Sequence, residues 1–164
     1  MPWIHQRPLN AKREIILTAP VNGTIAEQAD VDALLVTSGL WGPACFFHFS
    51  GHTLFAPTDC KVVSLPRNGY EVTLKTPFGL KLWISLNLPN RALMGEKCEF
   101  VCREGQALKT GDPVFRFQLN WMKQNNMPTT GALTLVNGNK CAGLRKSSLQ
   151  SVIANQDPLV YVYL

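Results

Sequence analysis

The sequence predicts an all-β protein, an antiparallel β-sandwich or flattened barrel with little helix. Three observations lead there. Roughly nine short apolar or alternating runs recur along the chain, and glycine, proline and asparagine separate most of them at intervals of about 8–12 residues. No segment holds the long 3.6-residue periodicity of an amphipathic helix. Composition fits one well-buried core: 46% of the 164 residues are hydrophobic and only 16% charged, with a mean hydropathy of +0.00. A chain of this length can bury most of its apolar surface as one domain.

Residues 1–13, MPWIHQRPLNAKR, are expected to form a flexible N-terminal arm ahead of a single domain at 14–164. The strand-like runs then follow in order: EIILTAPVNGTI (14–25), ACFFHFS (44–50), HTLFAPTDCKVVSL (52–65), YEVTLKT (70–76), LKLWISL (80–86), KCEFVC (97–102), PVFRFQL (113–119), ALTLVN (132–137) and PLVYVYL (158–164). In LKLWISL the period-2 rule puts Leu80, Leu82, Ile84 and Leu86 on one face and Lys81, Trp83 and Ser85 on the other. The turn signals Glu104-Gly105-Gln106 and Gly111-Asp112-Pro113 bracket one more short strand. Short helices are expected in 26–38 and 118–127, with another at 143–151.

One internal echo stands out. TAPVNG (18–23) and FAPTDC (55–60) share Ala-Pro-x-x before a strand. Proline starts or ends a strand at little cost because no ladder N–H is needed there. Gly23 would allow a tight turn, and Cys60 at the matching position implies a less demanding one. The pair hints at a duplicated motif.

Charge narrows the function classes. Lys and Arg number 16 against 11 Asp and Glu, a formal net charge of +5. The excess is scattered and lacks the basic stripe with interleaved aromatics of a nucleic-acid binder, so none is expected as a partner. No apolar run approaches the ~20 residues that cross a bilayer, and the N-terminus lacks the apolar region of a secretory signal. Five cysteines, an odd number, in a chain too large to need staples read as reduced thiols in the cytoplasm.

The pieces APVNG, GLWGPACFF, FAPTDCKVV, NGYEVTLKTPFGLKLWISLNL, EGQALKTGDPVFRF, MPTTGALTLVN and DPLVYVYL occur together and in this order. In that combination, over residues 15–164, the chain resembles the glucose-type IIA component of the bacterial phosphoenolpyruvate-dependent sugar phosphotransferase system. The resemblance implies a β-sandwich of the duplicated-hybrid-motif type. It also implies a site: family members carry a phosphoryl group on a histidine in a strand of the form V-H-F-G-I-D, supported by a second histidine in N-H-A-F-S-I. Here the first strand reads Ile84-Ser85-Leu86-Asn87-Leu88-Pro89, so Ser85 holds the histidine position, Asn87 the glycine and Pro89 the aspartate. Tyr70 holds the second histidine position.

The chemistry makes these departures matter. A histidine carrier needs an imidazole nitrogen that is nucleophilic near neutral pH and releases the phosphoryl group readily. Serine is a poor nucleophile without an adjacent base, and its phosphate ester is too stable to relay. Tyr70 can donate a hydrogen bond but is a poor base near pH 7. No catalytic residue is therefore assigned, and no cofactor is implied.

Other constellations are weak. Cys45, His48 and His52 give C-x2-H-x3-H, one ligand short of a structural zinc site, and no metal is expected. Cys98 and Cys102 would sit about 13 Å apart on an extended strand at ~3.3 Å per residue, and read as small buried hydrophobes. Family members meet protein partners through an apolar rim around the histidine pocket. By position that rim would comprise Trp41, Phe46, Trp83, Leu86 and Leu88, with Tyr70, Ser85 and Asn87 as polar contacts; Trp83 could equally cover a second sheet face.

The reading that follows is a pseudoenzyme of bacterial sugar transport, kept as a protein-binding or regulatory module whose partner is a phosphotransferase-system component or a regulator. Two alternatives remain open at this level: a phosphotransferase component with a displaced site, and a small-molecule module using a pocket emptied around Ser85, Tyr70 and Asn87.

Overall fold

The computed structural model describes residues 3–27, 39–88 and 94–164, apart from the side chains of Asn87 and Leu88. The described residues form fourteen strands and little helix. Eight strands make one sheet in the order β13 (Ser151–Val152), β2 (Gly23–Ala26), β3 (Ala44–Phe49), β11 (Thr130–Leu135), β7 (Lys81–Leu88), β6 (Glu71–Lys75), β5 (Cys60–Ser64) and β9 (Ala107–Leu108). A three-stranded sheet orders β1 (Glu14–Thr18), β14 (Pro158–Tyr163) and β12 (Gly143–Lys146), and another orders β4 (Thr53–Phe55), β10 (Pro113–Phe117) and β8 (Cys98–Phe100). Every pairing among these strands is antiparallel. This is the predicted all-β architecture.

The alternation predicted for β7 holds. Leu80, Leu82, Ile84 and Leu86 join the main core with Cys45, Phe47, Val72, Leu74, Val114, Phe115 and Leu133. Trp83 belongs to a second, smaller cluster with Ala26, Ala44, Phe46 and Ala132. The large sheet is thus buried on both faces over its central strands. Antiparallel sheets usually bury one face and wet the other, so the second apolar patch marks this face as special.

The Ala-Pro echo is a structural repeat. Thr18 N–H donates to Pro57 O at 3.0 Å and Phe55 N–H to Pro20 O at 2.8 Å, so the two segments cross-bond reciprocally. Ala19 N–H donates to Asp157 O and Ala56 N–H to Asp112 O, each at 2.8 Å. Asp157 and Asp112 in turn accept the N–H groups of Ile153 and Lys109 through their carboxylates. The repeat therefore extends to the two Asp-Pro pairs that open β10 and β14. Gly23 is needed for a reason other than a tight turn: an added Cβ would lie 2.3 Å from the His48 carbonyl oxygen on β3.

Residues 3–13 are tied to the fold: Trp3 bridges to Leu144, Ile4 N–H donates to Leu144 O at 2.7 Å, and Lys12 and Arg13 donate to Leu164 O. The Trp3 ring packs on the core and takes the Lys146 ammonium at 4.8 Å over its face. Of the three helices expected from the sequence, one is corrected by the structure. The stretch 143–151 forms no helix: Gly143–Lys146 are β12, paired beside β14 with Leu144 fully buried, and Ser151 opens β13; the predicted helix had no cap or periodicity to resist sheet pairing. Of the helix expected in 118–127, α1 spans Leu119–Gln124 and buries Met122. The helix expected over 26–38 falls mostly outside the described residues, and Ala26 closes β2.

Candidate functional site

The second face of the large sheet carries the positions singled out by sequence. Ser85 sits at its middle, fully buried. Register places Glu71 of β6 directly across from it on one side and Ala132 of β11 on the other. Directly opposite residues in an antiparallel pair have Cβ atoms about 4.5–5.5 Å apart. One step along β7, Trp83 lies between Thr73 and Thr134. Beyond Ala132, Phe46 of β3 and Ala26 of β2 extend the apolar floor.

Small residues make this arrangement possible. Ala26, Ala44 and Ala132 leave room for Trp83 and Phe46 to lie on the sheet, and Trp83 is only 7% exposed. Trp41 completes the layer from the Gly39-Leu40-Trp41-Gly42 loop, its ring centroid 4.9 Å from that of Trp83 and tilted by 59°. Gly42 lets the loop come this close: φ is +120°, and an added Cβ would lie 2.3 Å from Leu135 O. Trp41 stays 37% exposed and Leu40 is more exposed still. Thr134, directly across from Trp83 in the ladder and fully buried, has an Oγ1 without a hydrogen-bond partner among the described residues.

Several predicted site residues part company here. Leu86 is fully buried in the main core, on the face opposite Ser85, so the rim does not include it. Tyr70 takes a left-handed backbone conformation (φ +64°) and turns its ring into that same core, against Phe115 and Phe117. Its hydroxyl donates to Glu96 O, and burial pushes its phenol well above the ordinary tyrosine range. Tyr70 and Ser85 therefore lie on opposite sides of the large sheet. Phe46, Trp41 and Trp83 do come together with Ser85. The side chains of Asn87 and Leu88 lie outside the described residues.

The residue that sequence reasoning passed over is Glu71. It is 8% exposed and occupies the alternating position between the core residues of β6, Val72 and Leu74. A glutamate next to Tyr70 in YEVTLKT was the available signal, since period 2 aligns it with Thr73 and Lys75 on the outer face.

The metal and thiol candidates disperse. Cys45 points into the main core, while His48 lies on the outer face and meets the Thr130 hydroxyl at 3.2 Å. His52 meets the Thr53 hydroxyl. Among the described residues no three His, Cys, Asp or Glu side chains converge as a metal site. All five cysteines are free thiols, and burial pushes Cys45 and Cys60 up to about 12. No helix among the described residues is long and apolar enough to cross a membrane.

Residues 15–141 match the family described as phosphoenolpyruvate-dependent sugar phosphotransferase system, EIIA 1. The chain belongs to this EIIA family. It is 27% identical over 132 residues to the glucose-specific EIIBCA component of Corynebacterium glutamicum, covering 80% of this chain and 20% of that protein. The mannose-specific EIIBCA component of that species is 24% identical over 135 residues, 82% of this chain and again 20% of the relative. The chain thus spans about a fifth of the length of these two relatives. It is 21% identical over 150 residues to the glucose-specific EIIA component of Staphylococcus epidermidis, covering 92% of this chain and 90% of that one. Among solved structures, the glucose permease IIA from Mycoplasma capricolum superposes with a TM-score of 0.79 at 15% identity, over 92% of this chain and 96% of that one. That likeness carries the EIIA fold.

Proposed function

We propose that this chain is a degenerate, glucose-type EIIA module that has lost phosphate relay through histidine and acts as a protein-binding or regulatory module of carbohydrate uptake. One observation carries the reading: the centre of the candidate site holds a fully buried serine hydroxyl between Glu71 and Ala132, with no imidazole at either family position. A relay needs a nucleophile that is reactive near neutral pH and a phosphoryl bond that is easily broken, and Ser85 offers neither. Trp41 and Leu40, part-exposed at the edge of the Trp83–Phe46 layer, are the apolar contacts for a protein partner in this reading. The partner is a phosphotransferase-system component or regulator in the cytoplasm, and the net charge of +5 favours one that is acidic or neutral.

The test is phosphorylation in a reconstituted system. With phosphoenolpyruvate and the general phosphotransferase proteins, the chain should acquire no acid-labile, base-stable phosphate. Stoichiometric label of that kind would refute the loss of relay, and mapping it to His48 or His52 would establish a displaced site. In parallel, capture of a phosphotransferase component by the unmodified chain should fall about tenfold or more with Trp41→Ala if Trp41 is a contact of hot-spot strength.

A further inference from the structure

The three-stranded sheet β1-β14-β12 leaves β1 at a free edge. Arg13 and Leu164 exchange both backbone hydrogen bonds, at 3.2 and 2.9 Å, and antiparallel ladders alternate such pairs with open ones. Glu14 stands opposite Tyr163 and Ile16 opposite Tyr161, so the N–H and C=O groups of Glu14 and Ile16 point away from β14. Thr18, two residues on, turns its N–H the same way and donates it to Pro57 O at 3.0 Å. Glu14 and Ile16 meet no backbone partner on that side among the described residues. Outward N–H and C=O groups along an edge are a template for one more strand.

The ground beside this edge is shaped. A cleft of about 480 Å³ runs between Glu14 and Ile16, the Asp59 turn with Thr110, and Phe78. The Arg13 guanidinium lies 5.5 Å over the Phe78 ring. On the outer face of the sheet Ile16 is 47% exposed. It continues a row of Tyr161 and Arg145, whose guanidinium lies 4.0 Å over the Tyr161 ring. The cleft lining carries two carboxylates, Glu14 and Asp59, against one guanidinium, Arg13, in a chain of net charge +5. Lys109 meets Asp59 at 3.7 Å, an exposed pair of little weight.

The repeat provides an internal comparison. Thr110 N–H donates to Asp59 Oδ1 at 2.9 Å, and in the other copy Ala154 N–H donates to Asn22 Oδ1 at 2.8 Å. A neutral amide fills the acceptor position there, so the turn does not require the charge of Asp59. The matching cleft of about 280 Å³ beside β4 is lined by Asn22 and His52 and by no carboxylate.

We propose that the β1 edge is a docking site for an extended peptide segment of another protein. The segment adds antiparallel, as every strand pairing in this sheet is, with an apolar side chain opposite Ile16 and a Lys or Arg opposite Glu14. In that direction the apolar residue precedes the basic one by two positions. Main-chain hydrogen bonds to Glu14 and Ile16 give the affinity, and the two cross-strand pairs give the selectivity. A second copy of this chain fits less well, because it would bring its own Glu14 and Asp59 to the same short strand. The edge belongs to a different sheet from Ser85 and stands independently of the relay.

The probe is the blocked peptide Ac-Thr-Val-Thr-Lys-Thr-NH2, compared with its Lys-to-Glu counterpart by amide NMR of the full chain. The Lys peptide should shift the Glu14 and Ile16 amide signals in a saturable way and slow their hydrogen exchange. It should bind about threefold or more tighter than the Glu peptide, from an opposite-charge pair in place of a like-charge one. Ile16→Pro removes an outward N–H and no ladder bond, and should abolish binding. Glu14→Lys should reverse the preference between the peptides; it leaves the backbone alone and so decides the matter if the proline variant folds poorly. Equal affinities, no binding at millimolar peptide, or shifts centred on β4 or Trp41 would overturn the proposal. Concentration-dependent shifts of Glu14 and Ile16 without peptide would place a second copy at the edge and overturn it too.

Discussion

Replacing Trp83 by alanine separates a packing role from a contact role. Trp83 is 7% exposed, lies on Ala26, Ala44, Phe46 and Ala132, and is capped by the Trp41 ring. Truncating a buried tryptophan costs about 3–5 kcal/mol, because the three alanines beside it cannot expand to fill the space. For a chain of this size each kcal/mol moves Tm by roughly 2–4 °C, so Trp83→Ala should lower Tm by about 6–20 °C. Trp41→Ala removes an exposed ring and the aromatic pair, whose extra worth is ~0.5–1.5 kcal/mol. The two losses should therefore be unequal, with the double variant less destabilised than their sum by about 1 kcal/mol. Urea unfolding followed by circular dichroism supplies the values, provided the m-value is unchanged among variants. A loss below about 1 kcal/mol for Trp83→Ala would refute the packing described for this face, being the range of surface substitutions and not of core truncation.

Two further outcomes test other parts of the fold. The Asp59 carboxyl is held below the ordinary carboxylate range by the Thr110 N–H and hydroxyl, with Lys109 adding to the effect. Its stabilisation is present above the unfolded pKa of about 3.9 and is lost as pH falls through the lower folded value; Asp59→Asn should therefore flatten the stability profile below pH about 4, and parallel profiles would contradict the linkage. Gly23→Ala should cost about 1–3 kcal/mol because the new methyl meets the His48 backbone oxygen. Cys60→Ala, at the repeat position that already accepts a Cβ, should cost less, and equal losses by denaturation would contradict the close approach.

Strands and their faces were legible before any coordinates. Period-2 alternation in LKLWISL separated the leucines from Trp83 and Ser85, and the structure keeps them apart, because a pleated strand leaves each side chain only one face. Proline and glycine punctuation located the turns for the same local reason. That Ser85 and Tyr70 stand where the resemblance leads one to expect histidines was also legible, since residue identity needs no coordinates. What meets what was settled only by the folded chain. That Glu71 stands across from Ser85 follows from the register between β6 and β7, which a one-residue slip would reverse. That Tyr70 leaves the site for the main core follows from its left-handed backbone and the Phe115–Phe117 packing it finds there. Residues 3–13 looked loose because their partners, Leu144 and Leu164, lie at the far end of the chain. Contacts across such separations leave no local pattern; they exist only once the apolar faces have closed on each other and fixed the pairing of strands remote in sequence.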